Sequence, residues 1–389
     1  MFNSNKSNSF TEIKEVSWVS RLLKSLKDVF TGVIIIFIAF LLLIWNEGRY
    51  DLNQLAKDTL HLSADSAPQS QDIGKLVSIT GLITSPEMLS DDLFLKPAPY
   101  IALGRAVEMY AWEESRNVES QTNLGGSQTQ KITATYTQKW LSTSFIGREA
   151  TSVRDNDSSI IRSTKSSSFL QPENHQNPPI TIEDGAYKVS SAQVGLYELD
   201  MASFRLPSEA SVREAFGAGV FTGSVELPTP TPIQARAELI NNSPEIKVLG
   251  NYFYKGTGSL SAPEVGDLRI RYAALEANKP VTVMGKLEKG NRLVPYPRRG
   301  QQLYRIFPSS LEGAVARIEK EDLYFTWGLR FLGFLLLWFG LRLLFEPINI
   351  LLDFFPIFGA VSRIISGYGT LLMAFSISGV TILVYRLIL

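Results

Sequence analysis

Cysteine is absent from the 389-residue sequence. Disulfide scaffolds, cysteine-ligated zinc sites and thiol catalysis are therefore excluded. A domain of this chain in an oxidising compartment must be stable through its own hydrophobic core, and residues 46–322 are numerous enough to form one.

Histidine is scarce as well, since His61 and His175 are the only two and lie far apart in the sequence. We interpret both as surface residues. The sequence contains no dinucleotide fingerprint, P-loop, nucleophile elbow or HExxH motif. It therefore predicts no metal and no other cofactor, and it favours a protein that is not an enzyme.

The formal net charge of the chain is zero, because 38 basic residues balance 38 acidic ones. A surface that binds nucleic acid needs a basic excess to neutralise phosphates. We predict no nucleic-acid partner.

Long hydrophobic runs, by contrast, occur at both ends of the chain. Residues 29–45 carry no charge and predict transmembrane helix 1, since roughly 17–25 apolar residues span a bilayer. A cleaved signal peptide is disfavoured, because no small-residue cleavage site follows Trp45. Arg21, Lys24 and Lys27 precede the run, so the positive-inside rule places residues 1–28 in the cytosol and the following domain on the other side.

The second apolar run, residues 323–345, predicts transmembrane helix 2. Trp45 and Trp327 fall at one predicted interface, where indole rings are favoured, and are interpreted as membrane-interface anchors. Arg330 lies within this run and is a candidate functional residue, since an intramembrane arginine is costly. The alternative is snorkelling, with the guanidinium at the headgroups.

After residue 345 the C-terminal region is no longer one continuous apolar run. Segment 346–363 contains Asp353, a second candidate functional residue, and Pro356, which ends or kinks a helix. We interpret it as an amphipathic helix in the membrane interface, with a re-entrant arm as the alternative. Residues 364–388 predict transmembrane helix 3. Three or four crossings, and hence the side of the C-terminus, stay open.

A stripe of small and polar residues recurs at helical spacing along helix 3. Such stripes mostly mark helix–helix packing in membranes, and a water-lined pathway is the alternative. The stripe consists of Thr370, Ala374, Ser378 and Thr381.

The middle segment, residues 46–322, has the pattern of a β-rich extracytoplasmic domain. Alternating or β-branched stretches predict strands at 75–80, 106–112, 131–140, 268–272, 281–287 and 291–294. Helices are predicted at 206–216 and 309–321, the second continuing into the apolar run. Polar stretches 113–130 and 155–168 are interpreted as exposed hairpin loops or locally disordered segments. The predicted fold class is an α+β membrane protein whose β-rich domain is anchored by transmembrane helices at both ends.

One turn of this domain carries two acidic candidates. Glu264 and Asp267 flank a Gly at the entry to a predicted strand. They are candidate functional residues as an acidic pair, and the alternative is a pair of solvated turn residues.

Several short blocks resemble, in the same order, the transmembrane protein 43 family, which is also called LUMA. The blocks are Asn46–Arg49, Gly74–Val77, Leu89–Asp91, Val107–Trp112, Pro263–Arg269, Leu293–Pro295 and Thr326–Arg330. The chain ends soon after Arg386, where animal members continue into a further apolar segment. The four spans and the cytosolic C-terminus of the family are therefore not carried over to this chain. We expect a bacterial or otherwise divergent member.

The resemblance implies a multi-pass membrane protein with its large domain on the non-cytosolic side. The membrane would be the endoplasmic reticulum or inner nuclear membrane of a eukaryote, or the inner membrane of a bacterium. In animals the family is linked to lamins, emerin and the organisation of membrane complexes, and ion-channel activity has been proposed.

These observations lead to the hypothesis of an integral membrane scaffold or protein–protein interaction protein. Its partners would be the lipid bilayer and membrane or membrane-adjacent proteins, and homo-oligomerisation stays open. One alternative is an ion channel or transport component formed by oligomerised C-terminal helices. A second is an unrecognised membrane-associated enzyme.

Overall fold

The computed structural model describes residues 9–49, 52–91, 93–147, 149–155, 158–205, 227, 230–241, 243–298 and 301–388. The helix predicted at 206–216 lies outside this part of the chain.

The described residues form four α-helices, three of which are long. The helices are α1 (Trp18–Glu47), α2 (Leu52–Lys57), α3 (Leu311–Leu352) and α4 (Pro356–Ile388). By length and composition α1, α3 and α4 are each able to cross a membrane. The predicted class is confirmed: apolar helices at both ends enclose a β-rich middle.

Nineteen strands lie in the described part of the chain. They are β1 (Ser9–Val16), β2 (Leu60–Ser63), β3 (Leu76–Thr84), β4 (Tyr100–Thr122), β5 (Gln128–Ser142), β6 (Glu149–Asp155), β7 (Ser158–Ser163), β8 (Gly185–Lys188), β9 (Ala192–Val194), β10 (Tyr197–Leu199), β11 (Thr231–Ile233), β12 (Ile246–Leu249), β13 (Tyr252–Lys255), β14 (Leu268–Glu276), β15 (Lys279–Glu288), β16 (Arg292–Val294), β17 (Tyr296–Arg298), β18 (Gln301–Leu303) and β19 (Arg305–Phe307).

Five strands close into a ring, which we call the barrel. The order is β3, β15, β16, β10 and β9, and β9 pairs back onto β3. Its interior is filled by side chains such as Ile79, Tyr197 and Val283, none of which is exposed. Because the ring is closed, few backbone N–H and C=O groups at strand edges are left without a neighbouring strand. The predicted hairpin of 281–287 with 291–294 is present as β15 and β16.

The second large sheet is organised by β4, which changes partners along its length. Its first half, from Tyr100 to Met109, pairs with β14, and its second half pairs with β5 and β7. Buried Leu103, Phe253 and Ile270 belong to the core of this sheet. The interpretation of 113–130 as an exposed loop is wrong, since only residues 123–127 separate β4 from β5. That of 155–168 is wrong as well, since β7 occupies Ser158–Ser163. β4 and β5 tolerate polar side chains because long stretches of both strands are half-exposed.

The N-terminal strand joins the same sheet. β1 pairs antiparallel with β5, from Ser9 opposite Thr135 to Val16 opposite Gln128. Residues 9–16 precede the first apolar helix, yet they form an edge of the sheet of the middle domain. The sequence did not predict this pairing, and the cytosolic placement of residues 1–28 stays a prediction.

The barrel rests on the start of α3. Ala314 and Ile318 of that helix pack with Leu55, Met284 and Phe307 in one buried cluster. Helix α3 then runs without a break into the apolar stretch, as predicted for 309–321. The barrel is therefore mounted directly on a long helix.

The three long helices pack against one another as a bundle. Ala39 and Leu43 of α1, Leu337 and Leu341 of α3 and Ala374 of α4 form its core. The helices extend beyond the predicted spans 29–45, 323–345 and 364–388. Segment 346–363 is not a separate element, because it is divided between the end of α3, a short turn and the start of α4. Proline suits the first position of a helix, which explains why α4 begins at Pro356.

Close approach of α1 and α3 depends on glycine. A Cβ atom built on Gly340 would lie 2.6 Å from Cγ1 of Ile36. We expect Gly340→Ala to lower the free energy of unfolding by about 1–3 kcal/mol through overpacking, although alanine is the better helix former. Gly328→Ala, in the same helix with nothing within 4 Å of its added methyl, is the matched control. Thermal unfolding in detergent micelles measures both, and equal stability of the two variants contradicts the prediction.

Candidate functional site: ion-pair clusters at the two ends of the helix bundle

The end of the bundle nearest the barrel contains an ion-pair cluster centred on Glu47. Arg330 donates from Nε and Nη2 to the two carboxylate oxygens of Glu47, at 2.7 and 2.8 Å. Arg386 donates from Nε to Oε2 at 3.2 Å. Each of the three long helices thus supplies one charged residue to these contacts with Glu47 at their centre. We define the barrel-end cluster as Glu47, Arg330 and Arg386 together with the neighbouring Arg49 and Asp322.

Arg49 and Asp322 extend the barrel-end cluster towards the barrel. Nη2 of Arg49 lies 2.8 Å from Oδ1 of Asp322 and donates to the hydroxyl of Thr326 at 2.9 Å. Asn46 donates from Nδ2 to the carbonyl oxygen of Thr326 at 3.2 Å. The segments 46–49 and 326–330, which are distant in sequence, therefore form one connected polar site.

The two predicted anchors lie near this cluster. Trp45 is 57% exposed and Trp327 is 60% exposed, so both rings face outwards. The guanidinium of Arg330 lies 4.8 Å from the ring centroid of Trp327. Arg330 is itself buried, and its guanidinium lies against the Glu47 carboxylate and one face of the exposed Trp327 ring. A bidentate pair of this kind offsets the cost of burying a guanidinium beside apolar helices.

The opposite end of the bundle contains a second cluster, centred on Asp353. This residue caps α3 and is fully buried. Its Oδ2 accepts from Nη2 of Arg21 at 2.5 Å and from Nη2 of Arg363. We call Asp353, Arg21 and Arg363 the turn-end cluster, since it joins the start of α1 to the turn between α3 and α4.

The tip of the β4–β5 hairpin docks on the turn-end cluster. Arg21 donates from Nη1 to the carbonyl oxygen of Gly126 at 2.5 Å, and the amide of Gly125 donates to Phe354 at 3.2 Å. The indole of Trp18 donates to Ile350 at 2.8 Å. Asp353 is therefore the centre of a junction between three helices and the large sheet.

The small and polar stripe of α4 is used in packing. Ala374, Thr370 and Ser378 are buried. The hydroxyls of Thr370, Ser378 and Thr381 donate to carbonyl oxygens of their own helix three or four residues earlier. Such back-bonding satisfies a hydroxyl without water, which favours packing over a water-lined pathway.

Asp267 occupies a third polar site in the large sheet. It is buried, and it accepts hydrogen bonds from the Tyr254 hydroxyl at 2.5 Å and from the amide of Glu264 at 2.7 Å. Burial, together with the bond to Asp267, raises the pKa of Tyr254. Glu264 is exposed and accepts from the Thr257 hydroxyl at 2.7 Å. The solvated-turn interpretation is therefore wrong for Asp267, whose carboxylate organises the turn.

Gly256 leaves room for that carboxylate. Its φ is +150°, and an added Cβ would lie 1.9 Å from Oδ1 of Asp267. We expect Gly256→Ala to destabilise the protein by roughly 1–3 kcal/mol through strain and displacement of Asp267. Gly290→Ala has a positive φ but no neighbour within 4 Å and is the control. Thermal unfolding of both variants tests this, and a Gly256→Ala variant no less stable than the control contradicts it.

The interpretation of both histidines as surface residues is wrong for His175. This ring is fully buried, and it stacks on Tyr136 with centroids 3.7 Å apart. Its Nδ1 lies 3.2 Å from the carbonyl oxygen of Gln171. His61 is exposed as predicted.

The partners of Arg330 and Asp353 were not found from sequence. Glu47, Arg21 and Arg363 look like ordinary flanking charges of apolar runs. A signal was present, since the first and third runs end in Glu47 and Arg386, and Arg330 lies near the start of the second. Because α1, α3 and α4 alternate in direction, Glu47, Arg330 and Arg386 lie at the same end of the bundle.

Comparison with known proteins agrees with this architecture. The sequence model of the family described as Transmembrane protein 43 matches residues 158–389. The chain is 28% identical to rat Transmembrane protein 43 over 369 residues, covering 90% of this chain and 81% of the relative. It is 29% identical to the Drosophila melanogaster homolog, covering 84% and 80%, and 27% identical to the human protein, covering 88% and 79%.

These relatives are animal proteins, so they give no support to a bacterial origin. No solved structure matches the chain. The residue blocks that carry the resemblance also meet in space: Glu108 lies 2.7 Å from Arg269, and Glu47 pairs with Arg330. The chain belongs to the transmembrane protein 43 family.

Proposed function

We propose that this membrane protein is a scaffold, whose barrel and large sheet are held in a fixed relation to a helix bundle in the bilayer. The observation that carries the proposal is the pair of ion clusters at the two ends of the bundle. Each cluster joins different helices through buried charges. A partner that binds the sheets is thereby held at a defined orientation to the membrane.

The same contacts support a scaffold over a channel. The charge of Arg330 is neutralised by Glu47, and that of Asp353 by two arginines. The hydroxyls of α4 bond to their own backbone. The residues that suggested a conducting pathway are thus engaged in holding helices together.

The proposed partner is a membrane or membrane-adjacent protein that binds the exposed β-rich surface. Photo-crosslinkers at Met88 and Leu196, which are 68% and 52% exposed, would sample the connection between β3 and β4 and the turn between β9 and β10 of the barrel in native membranes. A crosslinker at buried Val283 is the control. One defined protein attached at an exposed site, and not at Val283, supports the scaffold.

Two measurements separate the scaffold from the alternatives. Liposomes containing the purified protein should show no ionic current above empty liposomes. A current that Arg330→Gln alters would overturn the scaffold in favour of a channel. Turnover of a substrate by the wild type, together with its loss in a folded Asp267→Asn variant, would favour an enzyme.

We propose further that α1, α3 and α4 cross the bilayer and that the barrel lies on the non-cytosolic side. The pairing of β1 with β5 tests this placement, because full crossing by α1 separates β1 from the sheet. Ile13 and Lys131 are opposite one another and both exposed, and the chain has no native cysteine. Oxidation of an Ile13→Cys, Lys131→Cys variant in sealed membranes should give no disulfide. Efficient disulfide formation would place both strands on one side and overturn the crossing by α1.

A further inference from the structure

A polar cavity of about 450 Å³ opens beside the barrel-end cluster. Such a volume is within the range of small-ligand sites, roughly 300–1,000 Å³. Its walls carry three carboxylates, from Glu47, Glu319 and Asp322, and three guanidinium groups, from Arg49, Arg330 and Arg386. The fixed charges of the wall cancel, which matches a zwitterion better than an anion or a cation.

One buried polar atom of this wall lacks a partner. Asn46 is 4% exposed, and its Nδ2 is bonded to Thr326. Its Oδ1 has no hydrogen-bond partner among the described residues. Asn46 lines the cavity, and a buried amide oxygen left without a donor is costly. An N–H group that enters the cavity and reaches this amide would satisfy it.

One arginine of the wall is available for an anion. Arg386 is 65% exposed, and its contact with Glu47 is the longest in the cluster at 3.2 Å. Glu47 is already satisfied by two bonds from Arg330. The exposed guanidinium of Arg386 can therefore bind a phosphate without leaving Glu47 unpaired.

The cavity also has an apolar margin on a helix long enough to cross a bilayer. Leu323 and Trp327 line it and are 55% and 60% exposed. A molecule with a polar head in the cavity would lay its hydrocarbon along these side chains. This arrangement favours a lipid over a soluble metabolite.

We propose that this cavity binds the headgroup of a phospholipid that carries a primary ammonium, of the phosphoethanolamine class. The phosphate lies on Arg386, the ammonium donates to Oδ1 of Asn46, and the carboxylate of Glu319, whose exposed contact with Lys57 is long at 3.6 Å, complements its charge. Asp322 stays paired with Arg49. A trimethylated headgroup has no N–H to donate to Asn46, and an uncharged glycerol headgroup does not complement the carboxylates. The inference does not depend on the scaffold function.

Lipid retention by the full-length protein tests the proposal. Nanodiscs would contain equal amounts of dioleoyl phosphatidylethanolamine, phosphatidylcholine and phosphatidylglycerol, and native mass spectrometry would count the lipids kept after release. We expect phosphatidylethanolamine to be retained about tenfold over the other two, the value of one charge-assisted hydrogen bond. Equal retention of all three by the wild type would overturn the proposal.

Two variants locate the site. Asn46→Leu and Arg386→Gln should each reduce the preference about tenfold, and Arg386→Gln keeps the proposal testable if Asn46→Leu fails to fold. Arg342→Gln, towards the other end of α3, should leave the preference unchanged. Displacement of the lipid by soluble glycerophosphoethanolamine at high concentration supports recognition of the headgroup. Retention that neither variant alters would place the lipid elsewhere and reject this cavity.

Discussion

Asp353→Asn is expected to lower the free energy of unfolding by about 3–5 kcal/mol, the usual cost of breaking a buried ion pair by removing one partner. The carboxylate is fully buried and bonded to Arg21 and Arg363. Arg21 is 8% exposed, so the substitution leaves a guanidinium in the interior with no counter-charge. Thermal unfolding of the full chain in detergent micelles measures the loss.

The control for this variant is an exposed ion pair. Glu276→Gln makes the same chemical change in an exposed pair with Lys279 and should cost less than about 1 kcal/mol.

A double variant separates a lost ion pair from a general defect. Arg21→Gln with Asp353→Asn removes both charges, so no guanidinium of Arg21 stays unpaired. We expect the double variant to lose less unfolding free energy than the two single variants lose together. The difference, the coupling energy, should be roughly 0.5–3 kcal/mol. Strict additivity of the two substitutions contradicts the proposed junction.

Arg105→Gln is expected to cost a similar amount, about 3–5 kcal/mol, in the core of the large sheet. Arg105 donates from Nη1 to both carboxylate oxygens of Asp91, at 2.5 and 2.6 Å. Tyr272 and Tyr187 donate to the same carboxylate through their hydroxyls. Both ions are buried, so loss of the guanidinium leaves Asp91 charged with only neutral donors.

This network also predicts a dependence of stability on pH. Burial alone would raise the pKa of Asp91, but hydrogen bonds from Arg105 and Tyr272 outweigh it and hold the pKa below its usual value. A depressed folded-state pKa stabilises the protein above the unfolded value of about 3.9, and that stability is lost as pH falls through the folded value. We expect the contribution to be complete at pH 7 and to disappear only below about pH 4.

The pH prediction is checked with Asp91→Asn. The difference in unfolding free energy between wild type and variant should be constant from about pH 7 to 5 and should shrink below about pH 4. Arg292→Gln, which removes an exposed arginine from its pair with half-buried Asp200, should leave the pH profile close to that of the wild type. A difference between wild type and Asp91→Asn that grows on acidification contradicts the assignment.

The fold was partly predictable because its strongest patterns are local. Apolar runs, the alternation in 268–272 and 281–287, and the continuity of 309–321 into α3 all depend on neighbouring residues. The prediction failed for 113–130, because polar residues occupy strands whose faces are half-exposed. It also failed for residues 9–16, whose partner β5 lies more than 110 positions away in the chain.

The sequence by itself determined that this chain has apolar helices around a β-rich domain, and its ordered blocks determined the family. Composition and short periodicity are sufficient for both conclusions, since neither requires knowing which distant residues meet. Only the tertiary structure decided that Glu47 neutralises Arg330, that Asp353 binds two arginines, and that Asn46 borders a charged cavity. Helix direction and strand register set those distances, because a charge beside an apolar run is a surface residue or a buried partner depending on what packs against it.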